Sequence, residues 1–434
     1  MNTRKMLALG LAGVMAASVA VPVAAEEREK ITISSYVSDA NQIEVREKYF
    51  DDALREAFPD VDFEFKIYAD KQQLQVEVAG GGGPDILDLD GPADAVQFAK
   101  SDRILPLDEY SEKYGWKDLF YDWAYNSSMY NDQLYSLPNG FEGMLIWYNM
   151  DVLEANGWEI PQTLDELNEL MPKMVEAGIM PIAFGNGDYQ GAIDWHYSTI
   201  LSCYGGPETI KSIMDGEDSF ATNEDIRNAM QLMIDWWQNG YITEKNSMAV
   251  TMSDAMTFFA SGKAAMMITG TWTLGDLTVT YPDVNWKACL LPTDGVHKDI
   301  FPLATAGGYA INAKCENPDL AAEVLNYLFT SEERHYAHVN EAGGQPYPLK
   351  SFDVAKLQGL SESAMDMYQI MDDAMSENRI GYCSWTFFPA EMRAYMNENT
   401  DSLYLDALSL DEYLEKCQTY IDAAIEDGSM PVLP

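Results

Sequence analysis

Aromatic side chains set among small polar residues are the most informative chemistry in this 434-residue chain, which carries 10 Trp, 25 Tyr and 16 Phe. Trp195-His196-Tyr197, Thr271-Trp272-Thr273 and Ser384-Trp385-Thr386 read as loops of this kind. An aromatic face flanked by hydroxyl, amide and carboxylate groups suits an uncharged polyol. The ring covers the apolar C–H face of a sugar, and the polar neighbours take its hydroxyls. For any one tryptophan, core packing explains the residue as well; three in loops together point to a ligand. Trp236 and Trp237 are different, because they sit on an amphipathic helix at which at least one must pack inward.

Other constellations fall short of chemistry. The glycines at 80–83 lack the Lys-Ser/Thr of a phosphate loop and end a helix where such a loop would open one, so they read as a turn. Asp88-Leu89-Asp90-Gly91 resembles part of a calcium loop, but the register puts Ile86 and Gln97 at ligand positions. His335 and His338 share a helical face without a third ligand, and neither a G-x-S-x-G nor a nucleophile–base pair is present. Paired carboxylates could hydrolyse a glycosidic bond, yet among 70 acidic residues close pairs arise by chance. No cofactor, metal site or catalytic residue is expected.

The elements that must position the tryptophans follow from periodicity. Residues 30–36 and 61–68 alternate as strands, with an amphipathic helix at 44–58 between them, ended by Pro59. A helix through 72–78 and a third strand from Pro84 complete a β-α-β-α-β rhythm, which predicts α/β layers with largely parallel pairing. Further strands are expected at 143–149, 180–184, 264–268, 285–291 and 308–311, and helices at 163–177, 223–238, 318–329, 361–375 and 410–425. Thr163 and Glu166 have the spacing of a capping box.

Length predicts two or three compact units, and 47% hydrophobic with 22% charged residues is the balance of a folded protein. Residues 1–25 read as an export signal, with cleavage favoured over retention as an anchor helix: Arg4 and Lys5, an apolar stretch, then Val23-Ala24-Ala25 before acidic residues. No cysteine stands near that site to carry a lipid, so the chain is expected free in a periplasm or outside the cell. Five cysteines are too few for a disulfide scaffold and read mostly as buried free thiols. A net charge of −43 disfavours nucleic acid and anionic membranes as partners.

Four pieces, in order, resemble the extracellular solute-binding proteins that feed carbohydrates to ABC importers, the group that includes maltose-binding protein. They are Gly83-Pro84-Asp85-Ile86; the segment 134–167 with Leu137-Pro138, Tyr148-Asn149 and Gly157 to Thr163; Ser261 to Met266 leading to Gly270-Thr271-Trp272; and Gly307-Gly308-Tyr309-Ala310-Ile311 with the segment 317–331. The resemblance covers nearly the whole mature chain. It implies two α/β lobes of the type II periplasmic binding fold with a hinge and an interlobe ligand cleft: 26–138 with 302–350, and 141–298 with 360–434. Hinge segments would lie near 136–141, 292–305 and 350–360.

It further implies a non-enzymatic, monomeric protein that hands a sugar or oligosaccharide to a membrane permease. Glu142 would contact sugar hydroxyls, Trp272 would stack on a ring, and Trp385, or else Phe388, would supply a second aromatic. Tyr36, Ser38 and Asp39 after the first strand would add polar contacts; Asp90, Trp195 and Gly308 complete the expected ligand set. Two rivals stand beside this reading: a secreted glycoside hydrolase with carboxylates roughly 5–9.5 Å apart, and the same fold boxing a cation such as a polyamine with acids and cation–π faces.

Overall fold

A computed structural model describes residues 28–36, 40–68, 71–293 and 297–434. The expected export signal, Ser38 and Asp39 lie outside these residues. Thirteen strands run in chain order: β1 (Glu29–Tyr36), β2 (Val61–Tyr68), β3 (Ile86–Leu89), β4 (Met129–Tyr130), β5 (Gln133–Leu134), β6 (Leu137–Pro138), β7 (Phe141–Asn149), β8 (Met180–Ala183), β9 (Ala264–Gly270), β10 (Trp286–Cys289), β11 (Phe301–Thr305), β12 (Gly308–Ile311) and β13 (Ile380–Tyr382). Two main sheets organise them. The first has the order β2-β1-β3-β12-β6, and the second the order β13-β11-β7-β9-β8 with β10 also on β7. Each sheet has its own apolar core, so the chain forms two lobes.

The first lobe begins as the alternation predicts. β1 pairs in parallel with β2 from Glu29↔Val61 to Tyr36↔Tyr68, and with β3 at Ile33↔Ile86. Elsewhere the pairing is mixed rather than largely parallel: β8 with β9 and β11 with β13 run parallel, but β12 runs antiparallel to β3 and β6, and β7 is antiparallel to β9, β10 and β11. The reason is connectivity. β7 carries the chain away from the first sheet and β11 leads back to it, so direct neighbours must oppose one another; a parallel pair needs a long crossover.

All nine residues of β7 are buried. Its last residue, Asn149, accepts from the Val152 amide at 3.1 Å, capping the helix Met150–Asn156, and donates to the Phe259 carbonyl at 2.8 Å. One side chain thus stops the strand, starts a helix and ties in a second one. Thr163 caps the helix Leu164–Glu176 as expected, but Glu166 reaches past it to the Gln162 amide at 2.7 Å, so the reciprocal box does not close. Trp236 and Trp237 both pack inward, with Trp237 stacked on Tyr404 at 5.1 Å.

Two of the segments that carry the chain between lobes lie side by side, 139–140 after β6 and 306–307 before β12; the chain crosses once more between β12 and β13. The first two are bonded to each other: Ala306 N–H to Gly140 O at 2.9 Å, and Asn139 N–H to Gly307 O at 3.2 Å. A Cβ on Gly140 would collide with the Cβ of Ala306, so this close approach requires glycine. Gly140→Ala is expected to cost about 1–3 kcal/mol by overpacking, and adding Ala306→Gly should restore most of it; urea unfolding of the single and double variants measures both.

Candidate functional site

Residues from both lobes converge where β3, β7 and β9 end or begin beside the crossing strands. Glu142, near the start of β7, is only 4% exposed. Its Oε1 accepts from Trp385 Nε1 at 3.0 Å, and its Oε2 accepts from the Gln345 amide. The same indole N–H lies 3.0 Å from the Thr305 carbonyl. Trp385 is thereby pinned to two strands of the second sheet. Its ring meets Trp272 edge-on at 6.1 Å, and Trp272 meets Trp195 at 5.3 Å and 58°. Trp195 and Trp272 remain half-buried, whereas Trp385 is buried. Gly270 makes room for this run, because any side chain there would strike the Trp272 ring.

A polar network lies alongside. Asp194, 1% exposed, accepts from four side chains: Tyr197 OH, Ser384 Oγ at 2.5 Å, Arg393 Nε at 2.8 Å and Asn397 Nδ2 at 3.2 Å. A second nitrogen of the Arg393 guanidinium reaches across to the first lobe, with Nη2 3.5 Å from Asp90 Oδ2. Tyr189 OH donates to the same oxygen at 3.0 Å. Burial opposes the charge on Arg393, but Asp194, then Tyr189 and Asp90, outweigh it and hold its pKa well above the ordinary value. Burial, and then the Asp90 charge, push the Tyr189 hydroxyl well up, so it stays a donor. Asp90 is steadied from its own lobe, its amide donating to Asp94 Oδ2 at 3.2 Å, and the next residue, Gly91, abuts the second lobe, where a Cβ would stand 3.1 Å from the Trp385 carbonyl oxygen.

The structure brings Asp90, Glu142, Trp195, Trp272 and Trp385 together. Gly308 sits apart, inside β12 between Leu89 and Pro138. Tyr36 closes β1, and Phe388 is buried. Two local expectations need correction: Trp195 lies on the helix Ile193–Ile200 and Trp385 on the short helix Ser384–Phe387, whereas Trp272 stands, as expected, outside regular structure, in the turn just before the helix Thr273–Val279. The first helix is buried on nearly every side, so it lacks the polar stripe that marks a surface helix.

Sequence reasoning missed Tyr189, Asp194, Gln345 and Arg393. Tyr189 and Asp194 stand close in the chain, but Gln345 and Arg393 lie far from them, and no motif joins the four. Chemically the site offers aromatic faces and hydrogen-bonded carboxylates. Among the described residues, no group of three or more His, Cys, Asp or Glu could hold a metal ion, and no helix is long and apolar enough to cross a membrane.

Residues 40–334 match the family model of the bacterial extracellular solute-binding proteins. The galactooligosaccharide-binding protein of Bacillus subtilis is 25% identical over 263 residues, 59% of each chain. An alpha-glucosides-binding periplasmic protein of Rhizobium meliloti is 30% identical over 139 residues, 29% of this chain and 30% of the relative. The matched region therefore spans well under two thirds of either relative. Among solved structures, a chitin oligosaccharide binding protein superposes with a TM-score of 0.77 at 19% identity, over 92% of this chain and 99% of the other. Maltose-bound T. maritima MalE3 gives 0.72 at 19% identity, over 91% and 99%. These likenesses establish the fold, two lobes of the type II periplasmic binding class.

Arg393→Met would leave Asp194 buried without its cation and should destabilise the protein by about 3–5 kcal/mol, with Asp194→Ser added to it recovering part of that loss; thermal unfolding of the pair measures the recovery. Asp94 gives a pH test. Burial, and secondarily Asp90, raise its pKa above 3.8. A raised carboxyl pKa means the fold is favoured below the unfolded value and loses that contribution as pH rises through the folded one. Asp94→Asn, which cannot ionise, should therefore flatten this part of the stability–pH curve; an unchanged slope would contradict the assignment.

Proposed function

Because the chain belongs to the bacterial extracellular solute-binding proteins, we propose that it is exported, captures a mono- or oligosaccharide between its lobes, and delivers it to the permease of an ABC importer. The observation that carries this reading is the run of three tryptophans, Trp195, Trp272 and Trp385, ending on Glu142. Half-buried Trp195 and Trp272 supply faces for sugar rings. Trp385, whose N–H is already committed, acts as their buttress, and Glu142 and Asp90 present acceptor oxygens held in place by fixed donors. The sugars in the relatives' names, galactooligosaccharide and alpha-glucosides, agree with such a site.

A cationic ligand is the weaker reading. Asp194 and Asp90 already share Arg393, so a polyamine would have to compete with a resident guanidinium. The hydrolase rival finds no support in the family or the named relatives, which are binding proteins.

A thermal-shift screen of residues 26–434 against mono-, di- and oligosaccharides and polyamines, with each ligand then assayed for breakdown, tests the proposal. One sugar class should raise the melting temperature and remain intact, and Trp272→Ala should weaken its Kd by roughly tenfold or more, equal to about 1.4 kcal/mol. Stabilisation by polyamines alone would overturn the sugar reading, and consumption of a glycan would overturn the binding-protein reading.

A further inference from the structure

The C-terminal helix Leu410–Asp427 belongs to the second lobe, whose core receives its Tyr413, Leu414, Cys417 and Ile421. Gly428, left-handed at φ 73°, ends the helix, and the Ser429 amide closes the turn on Ala424 O at 3.0 Å. From there residues 428–434 run along the first lobe. At the near end Asp427 pairs with Lys100 at 3.3 Å, at the end of the first-lobe helix Pro92–Lys100 that follows β3. At the far end Leu433, 9% exposed, flanks one hollow together with Tyr121 and Trp123 and belongs to the same apolar cluster as Trp123. Trp123 itself touches Phe141 of β7, 5.8 Å between ring centroids.

Between these anchors the segment is loosely packed. Residues 428–432 wall a hollow of about 460 Å³, with Val96 and Tyr130 of the first lobe on one side and Phe388 and Glu391 of the second on another. A second hollow of about 360 Å³ lies under Val432, Leu433 and Pro434. Val432 is 54% exposed. A segment fixed at both ends with unfilled space beneath it can shift without breaking a core.

We propose that residues 428–434 form a strap between the lobes that favours their closed arrangement. The argument is geometric. With the Asp90 contacts to Tyr189 and Arg393 made, the lobes are together, and the contacts of the strap belong to that arrangement. Rotation about the paired crossing segments moves the helix Leu410–Asp427 relative to the first lobe, so Leu433 or the Lys100 pair must let go. Whatever those contacts contribute favours closure, and by linkage it favours any ligand that needs the lobes together.

The test compares residues 26–434 with a chain ending at Ser429 and with Leu433→Ala in the full chain. Small-angle scattering of each ligand-free protein is the primary readout, and circular dichroism checks that both lobes stay folded. The strap predicts a larger radius of gyration for both variants, and unchanged scattering overturns it. If the shortened chain fails to fold, Leu433→Ala decides by the same measurement. A second arm rests on the sugar-binding reading: affinity for the sugar found by thermal shift should fall roughly tenfold, the order expected for losing one buried leucine's contacts. Scattering needs no ligand, so a failure of the transport reading leaves the strap test standing.

Discussion

Asp194 is a carboxylate with almost no solvent exposure and four side-chain donors, and the geometry of the site follows from satisfying it. An ionised group in the interior is tolerated only when paired and hydrogen-bonded. Its partners come from the helix Ile193–Ile200, the short helix Ser384–Phe387 and the helix Ala390–Tyr404. Holding those three together fixes Trp195 and Trp385, the neighbours of Asp194 and Ser384 in the chain. It also holds Arg393 by its Nε so that Nη2 lies beside Asp90. The aromatic run and the contact between lobes are two consequences of one buried charge.

Closure is then a balance between two kinds of contact. Near Gly140 and Ala306 the crossing segments are hydrogen-bonded side by side, a connection suited to bending with little loss of packing. Beside the aromatic contact of Trp123 with Phe141, the contacts across the cleft include polar ones: Asp90 with Tyr189 and Arg393, and Lys100 with Asp427. Such contacts can be exchanged for water as the lobes part, whereas each lobe keeps its own apolar core. The two-lobed form thus places strong, non-directional burial within lobes and weaker, directional bonds between them.

Much of the frame was legible because period and punctuation act locally. Residues 61–68 alternate and form β2; Thr163 caps the helix Leu164–Glu176; the glycines at 80–83 end a helix. Elements buried on all sides were harder to read. Ile193–Ile200 has no polar stripe, and β13 is three residues long. Pairing direction was misjudged for a related reason: local rhythm says that strands alternate with helices, but only connectivity says that β11 returns beside β7.

For the site, residue type was visible and partnership was not. An indole among threonines, or a carboxylate just after a Leu-Pro step, can be singled out from sequence because its chemistry belongs to the residue itself. By itself the sequence determined the α/β class, the family's motifs in their order, and the aromatic and acidic residue types of the candidate site. Tertiary structure alone decided that Trp385 spends its N–H on Glu142 and Thr305, that Arg393 bridges Asp194 to Asp90, and that Gly140 must be small. Each of these depends on groups about 80 to 300 positions apart in the chain, brought within bonding distance by folding, and hydrogen bonds and ion pairs act only at that range.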